Sequence, residues 1–192
     1  MKKITLALAA IAFSISSFAQ NWKLDPAHSR IHFTTQYLVI TDVEGDFKTF
    51  DGIFTSSKPD WSDLNADVTI QVNSISTDNE NRDKHLKSDD FFNAEKFPTI
   101  TFKSKSIKII DKNKYVLTGD LTIRDVTKTV EIPFVYGGSI TDSKGRVKAG
   151  FKATGKINRK EFNLKYSGAA ASGEAVVSDD VEFKLDAVLI KQ

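Results

Sequence analysis

No cysteine occurs in the 192 residues, and histidine appears only three times. The first absence rules out disulfides, so stability has to come from a core. It also rules out lipoprotein anchoring, which needs a cysteine behind an apolar leader. Charge of one sign is not in surplus either. The formal net charge is +2, and it falls to zero once Lys2 and Lys3 are set aside. A neutral chain with scattered charges has no electrostatic footprint for nucleic acid or for an anionic membrane. Pro- or Gly-rich linkers, heptads, repeats and low-complexity tracts are missing, which points to one domain with a substantial core. A nucleophile elbow, a phosphate-binding glycine loop, a dinucleotide fingerprint and a calcium loop are missing too. Ser29 beside His28 makes no triad by adjacency, because strand neighbours point to opposite faces. These absences weigh against a hydrolase.

The first 19 residues, MKKITLALAAIAFSISSFA, carry the pattern of a secretory signal. Lys2 and Lys3 form the basic start, Ile4 to Ile15 the apolar stretch, and Ser17-Phe18-Ala19 the small-residue cleavage site. The stretch is too short and wrongly flanked for a helix that stays in the bilayer. A mature chain beginning at Gln20, exported and not membrane-spanning, is therefore expected, with residues 20–192 forming one domain.

Period-two alternation runs through the rest. RIHFTTQY places Ile31, Phe33 and Tyr37 on one face, and ADVTIQVNS places Val68, Ile70 and Val72 there. TITFKSKSIKI gives Ile100 and Phe102, and then Ile107 and Ile109. YVLTGDLTI contributes Leu117, Leu121 and Ile123, and TVEIPF contributes Val130, Ile132 and Phe134. RVKAGFKATGKI gives Val147, Ala149, Phe151, Ala153, Gly155 and Ile157, and VEFKLDAVL gives Val181, Phe183, Leu185, Ala187 and Leu189. One wet and one dry face per strand means antiparallel pairing rather than a parallel sheet covered on both sides. A closed antiparallel barrel satisfies this pattern and removes its edges, while an open sandwich is the other solution. Phenylalanine, used 14 times, falls often on the inward set. That set suits either a packed core or a container. Three of the six inward residues of RVKAGFKATGKI are Ala or Gly, and with Gly119 they either fit the taper of a small barrel or leave space.

Residues 77–98 break the alternation. Asp78 or Asn79 is placed to cap a short helix through Leu86, Asp89 or Asp90 to cap another, and Pro98 ends the stretch. Of the histidines, His32 is expected on a wet face, His28 at a strand entrance and His85 in this excursion. His28 and His85 could meet over a metal with Asp25 or Asp83, or each could anchor its own loop by hydrogen bonds. No HxxxH-type spacing favours the metal.

Taken in order, WKLDPAHSRIHF, VEGDFKTFDGIF, NRDKHLKSDDFF, FPTITFKSKSI, GDLTIRDVTKTV and INRKEFN resemble the YceI-like family of bacterial polyisoprenoid-binding proteins, from about Trp22 to Leu189. The resemblance implies an all-β fold, an extended lipocalin-like antiparallel β-barrel with a short helical excursion. It also implies a periplasmic binding protein, not an enzyme, holding a long isoprenoid or similar lipid in the lumen without a cofactor. A homodimer is compatible with it. The expected wall residues are Phe33, Phe102, Leu121, Phe134, Ala149, Phe151 and Phe183. His28, Arg82, Asp83 and His85 are expected to fasten loops, with no metal among them. Asp125 and Asn163 stand where the family favours glycine. Both are read as turn residues at positive φ, which Asp and Asn tolerate best after glycine.

Overall fold

Extended backbone forms along each alternating run of the computed structural model, which describes residues 19–173 and 175–192. Among these residues the strands are β1 (Gln20–Leu24), β2 (Arg30–Tyr37), β3 (Thr41–Phe47), β4 (Phe50–Ser56), β5 (Asn65–Gln71), β6 (Ile75–Ser76), β7 (Thr99–Asp111), β8 (Lys114–Ile123), β9 (Val126–Thr141), β10 (Val147–Asn158) and β11 (Val177–Lys191). The expected signal segment, apart from Ala19, lies outside the described residues.

All pairings between these strands are antiparallel, and the order β1-β4-β5-β7-β8-β9-β10-β11 returns to β1, closing an eight-stranded barrel. Closure excludes the open sandwich. One edge of β11 serves two partners. Leu189–Lys191 pair with β1, while Val177 and Val181 to Asp186 pair with β2. β1 and β2 are thus two halves of one bent strand, interrupted by the Asp25-Pro26 turn. β3 and β4 mirror the bend on the other side. Within TITFKSKSIKI a bulge between Ser104 and Ser106 shifts the inward set from even to odd positions, which returns Ile107 to the core but leaves Ile109 56% exposed.

The excursion holds one helix, α1 (Glu80–Leu86). Asn79 caps it by accepting from the Arg82 amide at 3.0 Å, so Asn79 rather than Asp78 is the cap. No second helix follows. Residues 87–98 fold as turns, and Asp89 receives Arg124 instead of capping. Among the described residues no helix is long and apolar enough to cross a membrane.

One end of the barrel is plugged. The loop between β4 and β5 folds inward and places Trp61, only 2% exposed, against Trp22 and Phe151 at ring-centroid distances of 4.7 Å each. Trp61 takes a left-handed φ of 63° to do so. Asp63 fastens the loop, accepting from the Ser56 hydroxyl at 2.6 Å and the Ser57 amide at 2.9 Å. Burial works to raise the Asp63 carboxyl, but hydrogen bonds from Ser56, Ser57 and Lys58 outweigh it and hold the group at about 2. The other end stays open.

Candidate functional site

Between the plug and the open end lies a cavity of about 730 Å³. Phe33, Phe102, Leu121, Phe134, Phe151 and Phe183 all line it. It extends from Leu189 and Phe151 beside the plug to Tyr37, Arg82, Tyr166 and Val177 at the mouth. The volume falls within the range of small-molecule sites, and the wall between its ends is nearly all hydrocarbon.

Ala149 departs from expectation. It is 1% exposed, does not line the cavity, and packs in the plugged end beside Leu189 and Ser139 on the flanking strands. Its phase along β10 is right, but its height in the barrel is wrong. On this strand the alanine that lines the lumen is Ala153.

The glycines do more than fit a taper or leave space. A methyl built on Gly155 would lie 2.3 Å from the Phe183 ring, one on Gly119 2.5 Å from Phe102, and one on Gly45 2.4 Å from Phe33. Each ring lies over the bare backbone of a neighbouring strand. Phe33 sits directly opposite Gly45, and Phe183 directly opposite Gly155. The missing side chains let aromatic rings lie along the wall rather than project across the lumen. This keeps the interior both aromatic and open.

Hydrogen bonds organise the mouth. Arg82 donates from Nε to the Thr77 hydroxyl at 2.7 Å and from Nη2 to the Thr77 carbonyl at 2.8 Å. The Asp83 carboxylate accepts from the Thr77 amide at 2.8 Å and its hydroxyl at 2.6 Å. His85 Nε2 lies 2.9 Å from Asp90, and its ring meets Phe91 and Tyr166 edge-on. Arg82 and His85 also line the cavity, so the excursion forms part of its rim.

Two arginines that strand periodicity alone did not single out complete this end. Arg159, 3% exposed, spends all five of its donors. It reaches the carbonyls of Ser178, Leu164, Tyr166 and Val177 and the Asp179 carboxylate, at 2.7–3.3 Å. Burial pushes its guanidinium down from the ordinary value, while Asp179 pulls it back. Arg124 donates to the Asp89 and Phe91 carbonyls at 2.8 and 2.6 Å, tying the excursion to the β8–β9 hairpin. The signal available for both was a cation placed where an apolar strand ends at the mouth.

Arg124 also corrects the turn reading. It is Arg124 (φ 55°), not Asp125, that adopts the left-handed conformation, whereas Asn163 (φ 60°) does so as expected. Asn163 Nδ2 donates to the Asp125 carboxylate at 3.1 Å, so the two departures from the family pattern are bonded to each other.

The remaining histidines have partners of their own. His28 Nδ1 lies 2.9 Å from Asp25, which Lys148 also reaches at 2.9 Å. Lys148, opposed by burial and aided by His28, holds the Asp25 carboxyl below its usual range. His32 is not solvent-exposed as expected. Its side chain is 20% accessible and sits 2.9 Å from Asp46, which also takes a bidentate grip from Arg30 and a bond from Lys48. The Arg30 pair foremost, against burial and with Lys48 and His32, drives the Asp46 carboxyl far below the ordinary carboxylate range. His28 and His85 sit on different elements with different carboxylates. Among the described residues no group of three or more His, Cys, Asp or Glu is arranged to hold a metal ion.

Residues 22–189 match the YceI-like domain. Protein YceI of Escherichia coli O157:H7 is 40% identical over 187 residues, which cover 95% of this chain and 97% of that protein. The chain belongs to the YceI-like family. The crystal structure of the Campylobacter jejuni YceI protein is similar to this YceI-like barrel, with a TM-score of 0.72 and 31% identity over 100% of this chain and 99% of that one. A polyisoprenoid-binding domain from Saccharophagus degradans, implicated in plant cell wall breakdown, shares the YceI-like fold. Its TM-score is 0.64 at 14% identity, over 89% of this chain and 98% of that domain.

Proposed function

We propose that this chain is an exported, periplasmic binding protein whose lumen holds a long isoprenoid, a quinone tail or polyprenyl chain, or a similar lipid, as carrier or store. The observation that carries the reading is the cavity itself. It is plugged at one end, walled by phenylalanine rings laid over glycines, and predominantly apolar along its length. Such a space recognises length and apolar area rather than a functional group. Each buried methylene is worth roughly 0.8 kcal/mol, so a five-carbon isoprene unit offers about 4 kcal/mol gross. Ordering the chain offsets much of this. The polyisoprenoid-binding domain that shares this fold agrees with the cavity's chemistry.

Catalysis has less support. The polar groups at the mouth hold one another, and the metal-assisted alternative needs His28 and His85 together, whereas each is engaged by its own carboxylate. Export rests on the leader pattern, and intact mass of the exported protein should correspond to a start at Gln20. The binding test is titration of detergent-free mature protein with polyprenols of increasing length. Affinity should rise by roughly tenfold per added unit and level off once the lumen is full. Affinity that ignores chain length would refute the reading.

A further inference from the structure

The two ends of the barrel differ in their loops. At the plugged end the turns carry Asp111, Lys112 and Lys114, then Asp142, Lys144 and Arg146. At the mouth, the turn between β2 and β3 reads Tyr37-Leu38-Val39-Ile40, with Val39 63% and Ile40 81% exposed. Leu38 and Val39 both adopt left-handed φ, 51° and 61°. Glycine or asparagine suits such positions, and a β-branched residue there is a backbone outlier. Val39 is held exposed against this cost with exposed Ile40 beside it, which suggests a use for the two side chains.

A second uncharged segment adjoins the first. The Leu38 amide donates to the Val176 carbonyl at 3.0 Å. Residues 166–173 and 175–178 read Tyr-Ser-Gly-Ala-Ala-Ala-Ser-Gly and Ala-Val-Val-Ser, with Glu174 the lone charge in the stretch. Together the two segments make one apolar lip. Tyr37, Tyr166, Val176 and Val177 belong both to this lip and to the lining of the cavity, so the lip continues the lumen outward. The charged excursion with α1 forms the other part of the rim.

We propose that this lip docks on the surface of a lipid bilayer, so that an apolar chain passes between the bilayer and the lumen without crossing water. Contiguous exposed apolar surface marks such contacts. Two features choose the bilayer over a protein partner: continuity with a cavity whose contents dissolve only in an apolar phase, and a lip almost without charge. Tyrosines at the boundary sit well at headgroup level, with an apolar ring and a polar tip. The docking is shallow, salt-insensitive and edge-on, with the excursion left in water. It rests on the lumen reading for its purpose, but its test is separate.

The experiment uses the mature protein, sucrose-loaded phosphatidylcholine vesicles and a pyrene-labelled long-chain alcohol as probe. Wild type should sediment with the vesicles and extract the probe from them at a rate that high salt does not change. Val39→Asp with Ile40→Asp should lower vesicle binding and extraction by at least about tenfold. Its binding of probe added without vesicles should stay within twofold. Val39→Gly with Ile40→Ser, which the left-handed turn accepts, should show the same split and covers a fold failure of the aspartates. Ile140→Asp, an equally exposed site near the plugged end (71%), should leave every readout unchanged. Wild type that takes up free probe but ignores vesicles would overturn docking and leave the lumen reading intact. Vesicle binding with no probe uptake in either arm would support the docking but overturn the lumen reading and the transfer that rests on it. Docking would also fall if Ile140→Asp matched the lip variants, or if the lip variants only turned a dimer into a monomer in ultracentrifugation.

Discussion

Two alanines four residues apart on the same face of β10 separate a container from a packed core. Ala153 faces the lumen between Leu185 and Phe134, whereas Ala149 is sealed beside Leu189 in the cluster with Trp22 and Trp61. In Ala153→Trp the indole enters space already apolar. A tryptophan side chain covers at least about 150 Å², so its burial offsets the cost of ordering the ring. The melting temperature should hold or rise. The ring also takes room that about one isoprene unit would use, roughly 4 kcal/mol gross. If about a third of that survives as net affinity, binding of a long polyprenol falls by roughly tenfold. Ala149→Trp has no such space and should destabilise by roughly 1–3 kcal/mol or more. At roughly 2–4 °C per kcal/mol for a chain of this size, that is a drop of roughly 2–12 °C. Differential scanning calorimetry and a polyprenol titration on both variants give the answer. Equal destabilisation by the two, or undiminished binding by Ala153→Trp, would refute a lumen at the height of residue 153.

Three further outcomes follow from the same geometry. Gly155→Val should drive the Phe183 ring off the wall into the lumen and weaken lipid binding, and adding Phe183→Ala should restore it, as read by titration. Arg159→Met removes five donors, four of them from carbonyls of buried or half-buried residues, and should cost roughly 2–4 kcal/mol in urea unfolding; Arg159→Lys, without the planar fork, should not rescue it. Asp63 sits at about 2 in the folded protein against 3.8 unfolded, so on acidification the unfolded chain takes the proton first. Its contribution is complete above about pH 5, is lost as pH falls from about 4 towards 2, and is at most about 2 kcal/mol before solvent screening. Asp63→Asn should flatten that part of the acid-unfolding curve.

Strand content was legible because a sheet with one dry face writes a period of two into its sequence, and residues such as Phe102, Leu121 and Phe183 obeyed it. The antiparallel barrel followed from that period together with the need to hide edges. Height along the barrel axis leaves no such mark. Ala149 and Ala153 share a phase and differ only in how far they lie from the plug, which depends on the inward fold of Trp61. Register is equally silent, so the pairing of Phe183 with Gly155 could not be read, and the glycines could be taken only as taper or as space. Arg124 and Arg159 were hidden because charge at a strand end ordinarily signals solvent. Here the carbonyls of folded-back loops draw both guanidiniums inside. His32 was misplaced for a related reason: Asp46, on the facing strand, takes the histidine out of water.

The central claim is that the lumen carries a long apolar chain. It is tested most directly by mass spectrometry of organic extracts from the protein purified natively and without detergent, beside Ala153→Trp prepared in the same way. A long-chain lipid close to one per molecule in the wild type and depleted in the variant is the result predicted. A wild type that yields no lipid and takes up none when polyprenol is supplied would contradict it.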